Sequence, residues 1–271
     1  MKSVLTALLI LAGATIASAQ TPVVPQGGVL NAASFAVNQG VAAGSLVSIF
    51  GTNLASGLAT ADTIPLSTSL GNVSVSFNNI PAPLLFVNHD PVNGDQINAQ
   101  LPFALPAGAA QVVVTNSGNP SQPTNLNVIS AAPGVFAVNF GTGQAIAYGN
   151  NDGQLAAAPG SVPGLTTHPA AIGDPNTLAI LATGLGAVNP PVTTGSAVTD
   201  GQLHRTVVTP TVMVGGVEAQ VVFSGMQPQF PGIYQLNIII GAGTPTGDKI
   251  PLQIVMNGIT TTDQVTIAVT N

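Results

Sequence analysis

The chain has 271 residues, of which 45% are hydrophobic and 4% charged, with a formal net charge of −6 and no cysteine. The missing cysteines exclude disulfides, thiol catalysis, iron–sulfur clusters and thiolate zinc sites. Three basic residues in all can neither displace the counterions of a nucleic acid nor hold an anionic membrane surface.

Met1-Lys2 is a short basic start, Val4 to Ile16 is nearly all apolar, and Ala17-Ser18-Ala19 supplies small residues for cleavage. Residues 1–19 are therefore expected to be a cleaved signal peptide, with Gln20 as the new first residue. The apolar run is too short to span a bilayer comfortably. The expected localisation is secreted, extracellular or associated with the cell surface, without a membrane span.

Thirty-one Gly and 22 Pro punctuate short runs rich in Val, Ile, Thr and Phe, the pattern of an all-β chain with many turns. Ser45 to Gly51 is predicted as a strand and Asn53 to Pro65 as a loop. Val73 to Phe77 alternates strictly, so Val73, Val75 and Phe77 share a face. Asn78-Asn79 suits a two-residue hairpin turn, because Asn tolerates positive φ, and Ala82 to Val87 is the return strand. Gln96-Ile97-Asn98 lies in the next strand, followed by strands over Gln111–Thr115 and Asn125–Ile129. A connector from Ala132 to Phe136 leads to a hairpin with arms Gln144–Tyr148 and Gln154–Ala157. Ala158 to Pro175 is a loop.

The pattern then returns. Thr177–Leu185 answers Leu46–Leu54, and Thr211–Phe223 answers Ser74–Phe86, with Gly215-Gly216 in place of Asn78-Asn79. Gln235-Leu236-Asn237 answers Gln96-Ile97-Asn98, Ile250–Met256 answers Gln111–Ser117, and Val265–Val269 answers Asn125–Ile129. The offset drifts in loops and not within strands, as insertions in turns require. Strand number and spacing predict an all-β fold of two tandem immunoglobulin-like antiparallel β-sandwiches from an internal duplication. The first is expected over 20–131, and the connecting hairpin plus the second over 132–271.

Six stretches carry a family resemblance: Asn31–Phe35, Gly44–Leu54, Gln96–Pro102, Ala132–Phe136, Ala182–Gly186 and Gly232–Asn237. In this order they resemble the secreted acidobacterial C-terminal domain family of unknown function called the Solibacter uncharacterised C-terminal domain. Each unit also resembles an IPT/TIG immunoglobulin-like domain. The resemblance implies export and an extracellular module, and it supplies no catalytic residue.

Candidate chemistry is sparse. His89, Asp90 and Asp95 are the one grouping that suggests a metal or acid–base site, and their setting reads as a polar loop between strands. Gly243–Lys249 lacks the spacing of a phosphate loop, and Asn150–Gly153 lacks an oxygen ligand where Tyr148 stands. With no Trp and two Tyr, a flat aromatic carbohydrate platform is not apparent. The repeated amides Gln96, Asn98, Gln235 and Asn237 are expected to act as structural clamps tying neighbouring loops to the sheet. The alternative is that they line a binding surface. No catalytic, cofactor or metal residue is assigned. The expected function is a non-enzymatic interaction or structural module, in adhesion or extracellular display. Its expected partner is an extracellular protein, envelope material, or another copy met at strand edges that carry few charges. A sugar- or calcium-dependent binding module and a hydrolase with an interdomain site are the alternatives.

Overall fold

The computed structural model describes residues 20–262 and 264–271. The expected signal peptide, 1–19, lies outside the described residues. The first half contains β1 (Val29–Asn31), β2 (Val41–Ala42), β3 (Leu46–Gly51), β4 (Ala59–Thr60), β5 (Ser69–Leu70), β6 (Val73–Phe77), β7 (Ile80–Ala82), β8 (Leu84–Asn88), β9 (Asp95–Gln100), β10 (Gly108–Asn116), β11 (Asn119–Pro120) and β12 (Thr124–Ile129). They form two sheets, one of five strands ordered β1-β3-β9-β8-β4 and one of seven built on the path β2-β12-β10-β6-β5.

The second half contains β13 (Gly134–Val135), β14 (Ala137–Asn139), β15 (Thr142–Ala145), β16 (Ala147–Gly149), β17 (Ala170–Ala171), β18 (Leu178–Thr183), β19 (Val188–Asn189), β20 (Arg205–Thr206), β21 (Thr211–Val214), β22 (Val217–Met226), β23 (Tyr234–Ile239), β24 (Gly247–Met256), β25 (Ile259–Thr260) and β26 (Gln264–Thr270). These hydrogen-bond into one continuous path, β13-β18-β23-β22-β21-β24-β26-β15-β14, with the remaining strands attached to it. The fold is all-β, with two immunoglobulin-like sandwiches in tandem. The strands beyond the expected seven per unit are mostly two- and three-residue pieces.

Two hydrophobic clusters share no residue. Val47, Ile49, Phe77, Leu84, Ile97 and Val112 belong to the first, and Ile180, Val212, Leu236, Ile238, Leu252 and Ile267 to the second. Burial of each large side chain contributes roughly 1.5–3 kcal/mol, so these paired inner faces hold the sheets together. The alternation in β6 is as predicted, with Val73, Val75 and Phe77 buried. Asn78 and Asn79 both have positive φ, 47° and 64°, and so do Gly215 and Gly216, 58° and 82°. Each pair forms the primed hairpin turn whose twist matches its flanking strands.

The predicted return strand over Ala82–Val87 is two strands. β7 pairs with β6 in one sheet, and β8 pairs with β9 in the other. The change of sheet falls at Pro83, which has no N–H to give a ladder. Gln220 stands at the matching place of the second unit, and there β22 continues unbroken, pairing first with β21 and then with β23. A proline thus separates two sheets that the second unit keeps joined. Both copies carry a register shift at the same point, between Leu84 and Phe86 in one and Val221 and Phe223 in the other. The predicted arm Gln144–Tyr148 is likewise divided, because β15 pairs with β26 and β16 with β18.

Candidate functional site

The four repeated amides lie on half-buried strand positions that face away from each core. Gln96 Nε2 donates to Asn98 Oδ1 at 2.8 Å, and Ser48 Oγ donates to the same oxygen at 2.9 Å. Gln235 Nε2 donates to Asn237 Oδ1 at 2.7 Å. Each pair therefore bonds along its own strand, side chain to side chain.

Loop tying is done by the residue just before each pair. Asp95 is 2% exposed, and its Oδ2 accepts from the Leu54 and Ala55 amides at 2.7 and 3.4 Å. Tyr234 occupies the matching position in β23, is fully buried, and donates its hydroxyl to the Gly186 carbonyl. The two copies hold the same loop by opposite chemistry: a carboxylate accepts in one, and a phenol donates in the other. Burial holds the Tyr234 hydroxyl far above the ordinary phenol range, so it remains a donor. Tyr234→Phe is expected to cost about 1 kcal/mol, the net worth of one hydrogen bond. Asp95→Asn, which disturbs several contacts to one carboxylate, is expected to cost about 2–4 kcal/mol. Urea midpoints of the two variants check both values.

The structure brings His89, Asp90 and Asp95 together. His89 Nδ1 lies 2.7 Å from Asp95 Oδ1, and the Asp90 amide donates to that oxygen at 3.1 Å. Both Asp95 oxygens are thereby engaged by the protein. Asp90 accepts from the Val92 and Asn93 amides and from the Asn93 side chain. The Asn93 side chain first, then these amides, hold its carboxyl below the usual range. That preference favours the folded loop above the ordinary carboxylate range and is lost as pH falls through the depressed value. Elsewhere, His168 Nδ1 is 3.8 Å from Asp152 Oδ2, and buried His204 lies between the Pro190 carbonyl and Asp200. Among the described residues, no group of three or more His, Cys, Asp or Glu is placed to hold a metal ion.

The polar residues that organise the molecule lie at the joint between the units. Gln100 is 1% exposed. Its Nε2 donates to the Gly44 carbonyl at 3.0 Å, and its Oε1 accepts from the Gly195 amide at 2.6 Å. Thr183 is fully buried. Its Oγ1 accepts from the Leu46 amide at 2.9 Å and donates to the Gly232 carbonyl at 2.8 Å. Asn31 Nδ2 donates to the Ala132 carbonyl at 2.7 Å, while its Oδ1 accepts from the Ala33 and Ser34 amides. Gly184 has φ +79°, and a Cβ there would lie 2.0 Å from the Ala132 oxygen. Phe103, from the first half, packs against the second core, and its amide donates to Thr194 Oγ1 at 3.1 Å. All six motifs quoted above supply atoms to this joint. The repeat itself carried a signal of it, because the residue in β23 that answers Gln100 is Ile239.

The joint leaves two clefts over the outer face of the five-stranded sheet. One, of about 220 Å³, has Ser48, Gln96 and Asn98 in its floor and Phe35, Phe136 and Phe140 around it. The other, of about 520 Å³, is more apolar and is lined by Ile64, Leu66, Phe230 and Ile233. Leu85, the residue at the register shift of β8, borders both.

No family model and no curated protein sequence matches the chain. Among solved structures it is similar to the Escherichia coli adhesin FdeC, at 13% identity and TM-score 0.25, covering 93% of this chain and 66% of that one. It is similar to domains 5–6 of the S-layer protein SbsC, at 11% identity and TM-score 0.27, covering 93% and 99%. It is also similar to the plexin A4 extracellular region, at 10% identity and TM-score 0.26, covering 97% of this chain and 17% of that one. The chain thus spans less than two thirds of the FdeC and plexin chains. None of these identities and TM-scores carries a functional assignment.

Proposed function

We propose that the chain is an exported, non-enzymatic interaction module of two immunoglobulin-like units, 20–131 and 132–271, that contacts envelope material or an extracellular partner. The same reading follows from the motifs that resemble the Solibacter uncharacterised C-terminal domain. The observation that carries it is the joint. Its buried Gln100, Thr183 and Asn31 are used to fix one unit on the other and leave two clefts open beside them, the smaller without a charged lining residue. A hydrolase needs a free general base or nucleophile facing a cleft, and the Asp95 carboxylate is already taken up by loop amides and His89. Among the described residues no helix is long and apolar enough to cross a membrane.

The test is co-sedimentation of the purified chain with isolated envelope from a bacterium that carries the gene. Saturable sedimentation is expected. Protein that stays in the supernatant at every envelope concentration removes the reading.

A second reading is favoured by β14. It ends the sheet path of the second unit and carries no charge. It exposes Val138 at 43%, next to Phe140 at 85%. Edge strands ordinarily block pairing with charges or by being short, and here only shortness serves. Light scattering at micromolar concentration is expected to show a dimer that Val138→Lys converts to monomer. A strictly monomeric parent chain rules this contact out.

A further inference from the structure

We infer that the smaller cleft binds the ring of a neutral saccharide, an inference that rests on the interaction-module reading and names a ligand class for it. Its lining residues include no charged side chain, so an ionic ligand has nothing to pair with. Its floor is polar. Gln96 Nε2 and Ser48 Oγ both donate to Asn98 Oδ1. This leaves Gln96 Oε1 as an acceptor and Asn98 Nδ2 as a donor, side by side and without a protein partner among the described residues. A wholly apolar ligand would strip water from these groups and return nothing. Neighbouring hydroxyls of a pyranose both donate and accept, and they satisfy such a pair.

The wall is aromatic and is held in place by backbone contacts. Gly141, at φ +69°, brings the tip of the β14–β15 hairpin so close to the Ser34 carbonyl that a Cβ would lie 2.6 Å from that oxygen. This sets Phe140 edge-on to Phe35, with ring centroids 5.7 Å apart and planes at 84°. Phe35 in turn lies 6.3 Å from Phe50. Phe35 has φ +51°, a conformation uncommon for a bulky residue that persists only where surrounding structure fixes it. Phe140 nevertheless stays 85% exposed. An aromatic ring held in water beside a donor–acceptor pair offers an apolar face to one side of a sugar and hydrogen bonds to its hydroxyls.

Size and topology narrow the ligand further. The cleft, about 220 Å³, is smaller than the roughly 300–1,000 Å³ of sites for drug-sized ligands, and suits one ring. The floor strands β3 and β9 are both interior to their sheet, so neither offers the free edge that an extended peptide needs to add a strand.

Saturation-transfer NMR of the full chain with glucose, galactose, mannose and N-acetylglucosamine, each alone, tests the inference. At least one is expected to receive saturation at its ring protons. Phe140→Ala and Gln96→Leu are each expected to weaken that binding about tenfold or more, the loss of one good contact. Phe230→Ala, in the larger cleft, should leave it unchanged. Phe140 is exposed, so an unaltered melting temperature in Phe140→Ala separates lost binding from lost folding. Transfer to none of the four sugars, with envelope sedimentation intact, overturns the saccharide assignment alone. Binding that survives both cleft variants also overturns it. Failure of both sugar binding and sedimentation overturns the module reading as well.

Discussion

Gly184→Ala is expected to destabilise the chain by roughly 3 kcal/mol or more, through backbone strain together with steric overlap. The added Cβ meets the Ala132 oxygen at 2.0 Å. The backbone cannot retreat without breaking the bond from the Ala132 amide to the Gly184 carbonyl, 2.8 Å. Gly160 is the control: it has φ +71°, and a Cβ there would meet nothing within 4 Å. Gly160→Ala should therefore show the conformational cost alone, roughly 1–2 kcal/mol. For a chain of this size, thermal scans should read about 2–4 °C per kcal/mol. Equal shifts in the two variants would mean that the close approach of Gly184 to the connector at Ala132 contributes nothing.

The second large effect is expected at Gln100. Gln100→Leu keeps the bulk and removes both bonds, leaving the buried Gly44 carbonyl and Gly195 amide unpaired. Each orphaned group costs about 1–3 kcal/mol, so a total of roughly 2–6 kcal/mol is expected. Gln96→Leu, on the same strand but half-buried, should cost about 0.5–1.5 kcal/mol for its one bond. A urea series that ranks Gln96→Leu as the more damaging of the two would refute the role given to Gln100. Protease cutting between Ser130 and Ala132 should accelerate in Gln100→Leu, since opening the joint exposes that connector.

These residues also show what could be read in advance. The alternation of Val73, Val75 and Phe77, the twin turns at Asn78-Asn79 and Gly215-Gly216, and the repeat itself are local or periodic signals, and all were legible. The sheet change at Pro83 was written in the sequence but fell inside a run of apolar residues that resembles a single strand. The joint left one mark in the repeat, Gln100 where the second copy has Ile239, and was otherwise illegible for a different reason. Leu46 and Thr183 are 137 residues apart, and Gln100 and Gly195 are 95 apart. Their partners are backbone atoms, which leave no mark on composition or spacing. Gln96 and Asn98 stood out because they recur. The cleft above them did not, because its aromatic wall includes Phe140 from the other unit.

Phe103 has a consequence for the order in which the molecule is completed. Chains are synthesised from the N-terminus, and domains generally fold as units in that order. All the residues of the first cluster lie before Ala132, so that half can close as soon as it emerges. The second half receives Phe103 from its predecessor and comes to rest on a surface already made. The first unit therefore serves the second as an internal scaffold. A second half released alone would begin with an unfilled notch where that ring belongs.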